Sequence, residues 1–116
     1  MRAVLVTGTA ALLLAWPAAA AQWSPSPSWL VQAKCVHLKE GAWSANTGNG
    51  YFGGFQFAAK TWRRLGGASD SAFKHPGNVW YPFHATAGEQ LFRAWLLWKH
   101  DGGSWKSWGA VGASCT

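Results

Sequence analysis

The sequence predicts a small α+β domain, mainly helical with a short β-hairpin or loop region, and three observations carry that expectation. Apolar residues recur at helical spacing in three separated segments. Between the first two lies a stretch of glycines mixed with asparagine and aromatic residues. Two cysteines, Cys35 and Cys115, stand near the two ends of the patterned region.

The elements follow in order. Gln22 to Ser28 contains S-P-S-P-S, which reads as an extended linker. Ser28 is the expected N-cap of a helix from Trp29 to about Lys39. Trp29, Ala33, Val36 and Glu40 share one side of that helix, so Glu40 ends an apolar stripe. Partial desolvation there raises a carboxyl pKa and favours the protonated acid. Gly41 ends the helix. Gly48, Gly50, Gly53 and Gly54, set among Asn46, Thr47 and Tyr51, predict a loop or brief hairpin. A second helix is expected from about Ala58 to Leu65, with Ala58, Thr61, Trp62 and Leu65 inward and Lys60, Arg63 and Arg64 outward. Gly66 and Gly67 stop it. The segment from Ala68 to Phe83 reads as irregular. Thr86 and Glu89 form a capping box that opens the third helix, with Leu91, Phe92, Trp95 and Trp98 at helical spacing. Gly102 and Gly103 end it, and a short aromatic tail runs to Cys115.

The first 21 residues read as a secretory signal peptide. Arg2 gives the positive start, Ala3 to Trp16 is largely apolar, and Ala18 to Ala21 supply small residues for cleavage. The apolar run is short for a bilayer span of about 20 residues, although an uncleaved anchor is the alternative. The expected organisation is 1–21 signal, 22–28 linker and 29–116 domain. A domain of that size buries a limited core. Tryptophan compensates, since all ten tryptophans except Trp16 lie beyond the signal. In an exported chain Cys35 and Cys115 read as a disulfide, with a cysteine nucleophile as the other reading.

The formal net charge is +6, with the cations scattered rather than run together. Outside a cell this favours anionic polymers, acidic glycans or membrane surfaces. Nucleic acid fits the charge but not the export signal. No stable membrane insertion is expected after cleavage, and a monomer is expected.

The chain has only four carboxylate side chains, Glu40, Asp70, Glu89 and Asp101. Glu89 is accounted for by its cap, and Asp70 and Asp101 read as turn residues. Glu40 stands beside a polar, aromatic loop, the setting in which an acid protonates a glycosidic oxygen. Gly48 to Gly53 matches G-x-G-x-x-G, but a dinucleotide site needs a parallel sheet that this chain has no room for. His37, His75, His84 and His100 make no metal-binding spacing, and no nucleophile elbow is present. No cofactor or metal is expected.

The run from Cys35 to Trp62, C-V-H-L-K-E-G-A-W-S-A-N-T-G-N-G-Y-F-G-G-F-Q-F-A-A-K-T-W, resembles the transglycosylase-like domain of resuscitation-promoting factors, a family related to lysozymes and lytic transglycosylases. N-T-G-N-G-Y-F-G-G-F-Q-F followed by T-W carries the likeness, with a looser match at E-Q-L near Glu89 and at the terminal cysteine. The resemblance implies a lysozyme-like fold, a Cys35–Cys115 bridge and cleavage of the bond between N-acetylmuramic acid and N-acetylglucosamine in peptidoglycan. One departure concerns the acid. Family members place it directly after the first cysteine in C-E-S-G-G-N-W, where this chain has Val36; Glu40, in C-x-x-x-x-E-G-x-W, is the natural match.

Glu40 is then the expected catalytic acid and base. In a lytic transglycosylase the C6 hydroxyl of the muramic sugar closes on its own anomeric carbon, so one carboxyl suffices. Trp43, Tyr51 and Phe52 are expected to stack on sugars. Asn46, Thr47 and Gln56 are expected to hydrogen-bond them, and Gly53 to admit close backbone approach. Trp62 reads as core. Peptidoglycan strands are the expected partner, with a second cell-wall hydrolase as a candidate companion. The competing reading is a non-catalytic glycan-binding protein on the same fold.

Overall fold

The computed structural model describes residues 23–66 and 80–116. The expected signal at 1–21, and most of the irregular segment with Asp70 and His75, lie outside the described residues.

The first helix, α1 (Pro27–Glu40), starts earlier than its sequence pattern implies. Ser26, not Ser28, is the N-cap, and its hydroxyl accepts from the Trp29 backbone N–H at 3.1 Å. Pro27 takes the first helical position, where its missing N–H costs nothing. Trp23, inside the expected linker, packs edge-on against Trp29, Phe92 and Trp95 at 5.4–6.0 Å between ring centroids. That segment therefore contributes a ring to the core.

A two-stranded antiparallel hairpin follows, β1 (Tyr51–Phe52) and β2 (Phe57–Ala58), with Tyr51 paired to Ala58 and Phe52 to Phe57. Helix α2 (Ala59–Arg64) continues directly from β2. After a 3-10 turn at Pro82–His84 comes α3 (Ala87–His100). Thr86 caps α3 as expected, accepting from Glu89 N–H at 3.1 Å. A second 3-10 turn, Lys106–Trp108, leads into α4 (Gly109–Ser114). The result is the predicted α+β domain, helical around a small hairpin.

The core is aromatic. Trp29, Phe55, Phe57, Trp62, Phe92, Trp95 and Trp105 are buried, with Ala33 and Val36 filling the gaps on α1. Trp29 and Trp105 stack at 5.3 Å, and Trp105 Nε1 donates to Gln32 Oε1 at 2.8 Å, tying the chain's last segment to α1. Cys35 and Cys115 form the expected disulfide, and Lys39 Nζ adds a 2.8 Å hydrogen bond to Ser114 Oγ. Inside α3, Glu89 pairs with Arg93 at 3.1 Å, both fully buried. Arg93 also donates to the Leu65 carbonyl at 3.0 Å, which fixes the end of α2 against α3.

Candidate active site

Glu40 is the last residue of α1, and Gly41 leaves the helix in an extended conformation. The side chain is half-buried and lines a cleft of about 660 Å³ with Tyr51, Gln56, Thr61, Arg64, Ser107 and Trp108. Phe55, Phe57 and Leu97 supply apolar lining. Burial pushes the Glu40 carboxyl above its usual 4.5. The carboxyl also stands at the negative end of the helix dipole, which disfavours its ionised form in the same sense.

Gln56 is built into this cleft with care. Its φ of 50° is the one positive value at a non-glycine among the described residues. Left-handed backbone costs a non-glycine side chain about 1 kcal/mol and persists only where neighbours enforce it. Here Gln56 Nε2 donates to the Gly53 carbonyl at 3.0 Å, while Oε1 accepts from Asn49 Nδ2 at 3.3 Å. Asn49 Oδ1 in turn accepts from the Tyr51 backbone N–H at 3.0 Å, so the loop presents Tyr51 and Gln56 as a unit.

The loop is held from behind by α3. Gln90 is fully buried; its Oε1 accepts from Gly54 N–H at 2.8 Å, and its Nε2 donates to the carbonyls of Trp43 and Ala85. A Cβ on Gly53, whose φ is 76°, would lie 2.5 Å from Gln90 Oε1 and 2.9 Å from Pro82 Cβ. Gly53 thus faces the interior and serves the loop's packing.

The structure brings Glu40, Tyr51 and Gln56 together and distributes the other expected binding residues elsewhere. Trp43 lines a separate apolar pocket with Leu30, Lys34, His37, Leu38 and Leu91. One face of its indole is covered by His37, with centroids 3.7 Å apart. Phe52 packs against Tyr81 and Phe83 at 5.0 and 5.6 Å. Asn46 and Thr47 are exposed, Asn46 forming an isolated bridge to Phe52.

Four cleft residues escape the sequence reading. Arg64, expected on the outer face of α2, lines the cleft with Thr61, one turn earlier. Trp108 donates its Nε1–H to the Phe55 carbonyl at 2.9 Å, and Ser107 donates to Asp101 Oδ2. Asp101, read as a turn residue, therefore holds a cleft side chain. Nothing in the spacing of the tail announces this, because Trp108 and Ser107 reach the cleft through a 3-10 turn rather than a periodic helix face.

Among the described residues the cleft holds a single acid between aromatic and hydrogen-bonding walls, the arrangement implied by the family likeness. The model of the transglycosylase-like domain matches residues 24–111. The chain belongs to the transglycosylase-like domain family. The match embraces α1, the hairpin, α2, α3 and the first half of α4.

Among curated members, the chain is similar to resuscitation-promoting factor Rpf1 of Corynebacterium glutamicum, 36% identical over 107 residues, which cover 92% of this chain and 48% of that protein. RpfC of Mycobacterium tuberculosis is 43% identical over 72 residues, 62% of this chain and 47% of its own length. Rpf of Micrococcus luteus is 34% identical over 103 residues, 89% of this chain and 38% of that protein. The chain thus spans less than half the length of these relatives. No solved structure matches it.

Proposed function

We propose that this transglycosylase-like domain cleaves peptidoglycan glycan strands between N-acetylmuramic acid and N-acetylglucosamine, with Glu40 as the catalytic acid and then base. The observation that carries the reading is the placement of Glu40. Among the described residues it is the only carboxylate lining a cleft that also offers Tyr51, Gln56, Thr61 and Trp108. Desolvation raises its pKa and so favours the protonated form that donation to a leaving glycosidic oxygen requires.

The step follows from one carboxyl. Protonated Glu40 donates to the bridging oxygen as the bond to the anomeric carbon breaks. The muramic C6 hydroxyl attacks that carbon and returns its proton to Glu40, giving a 1,6-anhydro end. Water in place of that hydroxyl gives a reducing end by the same proton cycle. Tyr51 and Trp108 offer rings for stacking on sugars, and Gln56 and Thr61 offer polar contacts. The chain works outside the cell after loss of residues 1–21 on this reading, and the Cys35–Cys115 bridge supports an oxidising compartment.

The test is mass spectrometry of purified peptidoglycan digested with the wild type and with Glu40→Gln. Release of anhydro-ended fragments by the wild type and none by Glu40→Gln is expected. Unchanged release by Glu40→Gln removes Glu40 from the mechanism. Binding without any release by the wild type makes the protein a glycan-binding module.

A further inference from the structure

Three arginines surround the junction of α2 and α3, and each has a different setting. Arg93 is buried in its pair with Glu89 and its bond to Leu65. Arg63 lays its guanidinium over the rings of Trp80 and Tyr81 at 4.8 and 5.1 Å. Arg64 is exposed and lines the Glu40 cleft, and no hydrogen bond or ion pair within the described residues engages its guanidinium. The proton cycle of Glu40 makes no use of this cation.

Resting on the reading above, we propose that Arg64 is a specificity-determining residue that binds a carboxylate carried by the glycan, so that the cleft selects acidic strands over neutral ones. Thr61 and Arg64 stand one turn apart on α2 and both line the cleft, so a hydroxyl-bearing and a guanidinium-bearing side chain border the same space. A guanidinium fork matches the two oxygens of a carboxylate. A simple acetamido sugar offers that fork no negative charge. The cleft's own carboxyl does not fill the role: among the described residues no ion pair or hydrogen bond joins Glu40 to Arg64.

Two parts of a peptidoglycan strand carry such a group. One is the lactyl ether of a muramic residue whose peptide has been removed. The other is the free carboxylates of the stem peptide. The chemistry recognised is the same, and substrate preparation separates the sources.

The experiment compares three strand preparations: peptide-bearing strands, peptide-free strands with lactyl carboxylates, and strands whose carboxylates have been amidated. Both cleavage rate and binding by co-sedimentation are measured for the full chain, its Arg64→Gln and Arg64→Lys variants, and Arg63→Gln as a neighbouring charge control. The expected result is a wild-type preference of about tenfold in kcat/KM, expressed in KM, for at least one carboxylate-bearing preparation over the amidated one. Arg64→Gln brings that ratio to about one, Arg64→Lys restores part of it, and Arg63→Gln leaves it in place. The preparation that shows the preference identifies the source. A wild type that cleaves or binds all three alike, or a preference that survives in Arg64→Gln, overturns the inference and leaves the cleavage reading standing. A wild type that neither cleaves nor binds any preparation overturns both.

Discussion

His37 lies flat against Trp43, with ring centroids 3.7 Å apart and planes inclined by 17°. His37 Nδ1–H donates to the Gly54 carbonyl at 3.0 Å, so the stack is anchored to the glycine loop. The pair closes the end of α1 over the chain that follows it, just beyond Glu40. Any side chain on Gly54 enters this contact.

Gly54→Ala is accordingly expected to destabilise the domain by about 2 kcal/mol through overpacking. Its Cβ would meet the Trp43 ring, and would lie 2.6 Å from His37 Nδ1. Chemical denaturation measures the loss, and near-ultraviolet circular dichroism should show the altered tryptophan environment.

The raised Glu40 pKa makes activity and stability decline in the same direction, as pH rises. Activity should fall as pH rises through that raised value, because the ionised carboxyl has no proton to donate. For stability, the folded pKa exceeds the unfolded one, so the favourable contribution is complete below the unfolded value and lost as pH rises through the folded value. A neutral Glu40→Gln side chain should therefore match the wild type in acid and unfold at a higher temperature near neutral pH. Thermal scans across that window check the sign.

Glu89 sits beside Arg93 with almost no exposure. Glu89→Ala deprives a buried guanidinium of this carboxylate and should cost about 3–5 kcal/mol. Glu40→Gln has no such cost. Unfolding curves for the two variants thus separate a structural carboxylate from a functional one.

The disulfide closes a loop with a sequence separation of 80. Loop-closure entropy puts its contribution at about 4.5 kcal/mol as an upper figure. Cys115→Ser is expected to lower the denaturation midpoint substantially in the folded chain, and mild reduction of the wild type should reproduce the shift.

The strongest local signals in the sequence are the ones the fold honours. Thr86 caps α3 because its hydroxyl is placed to accept from Glu89, a bond contained within one turn. Trp62, read as core, is fully buried and packs against Phe57 with ring centroids 5.5 Å apart. The start of α1 moves because Ser26 and Ser28 flank Pro27, and only the proline's place at the first helical position decides between them. Trp43 is drawn to His37 across the end of a helix, a contact with no periodic signature. Arg64 was expected outside, but α2 has six residues, too few for apolar spacing to fix which side meets a cleft formed partly by Ser107 and Trp108. Glu40 was recognisable as an acid at the end of an apolar stripe, whereas the tail residues lining its cleft depend on how the chain returns.

Gln90 touches the backbone of Trp43, Gly54 and Ala85 with one amide group. The glycine loop is therefore shaped by a residue 36 positions away from Gly54. Transplanting N-T-G-N-G-Y-F-G-G into another protein would move the letters and leave behind their mould. The transferable unit is the loop together with Gln90 and the helix that carries it, a discontinuous cassette rather than a linear motif.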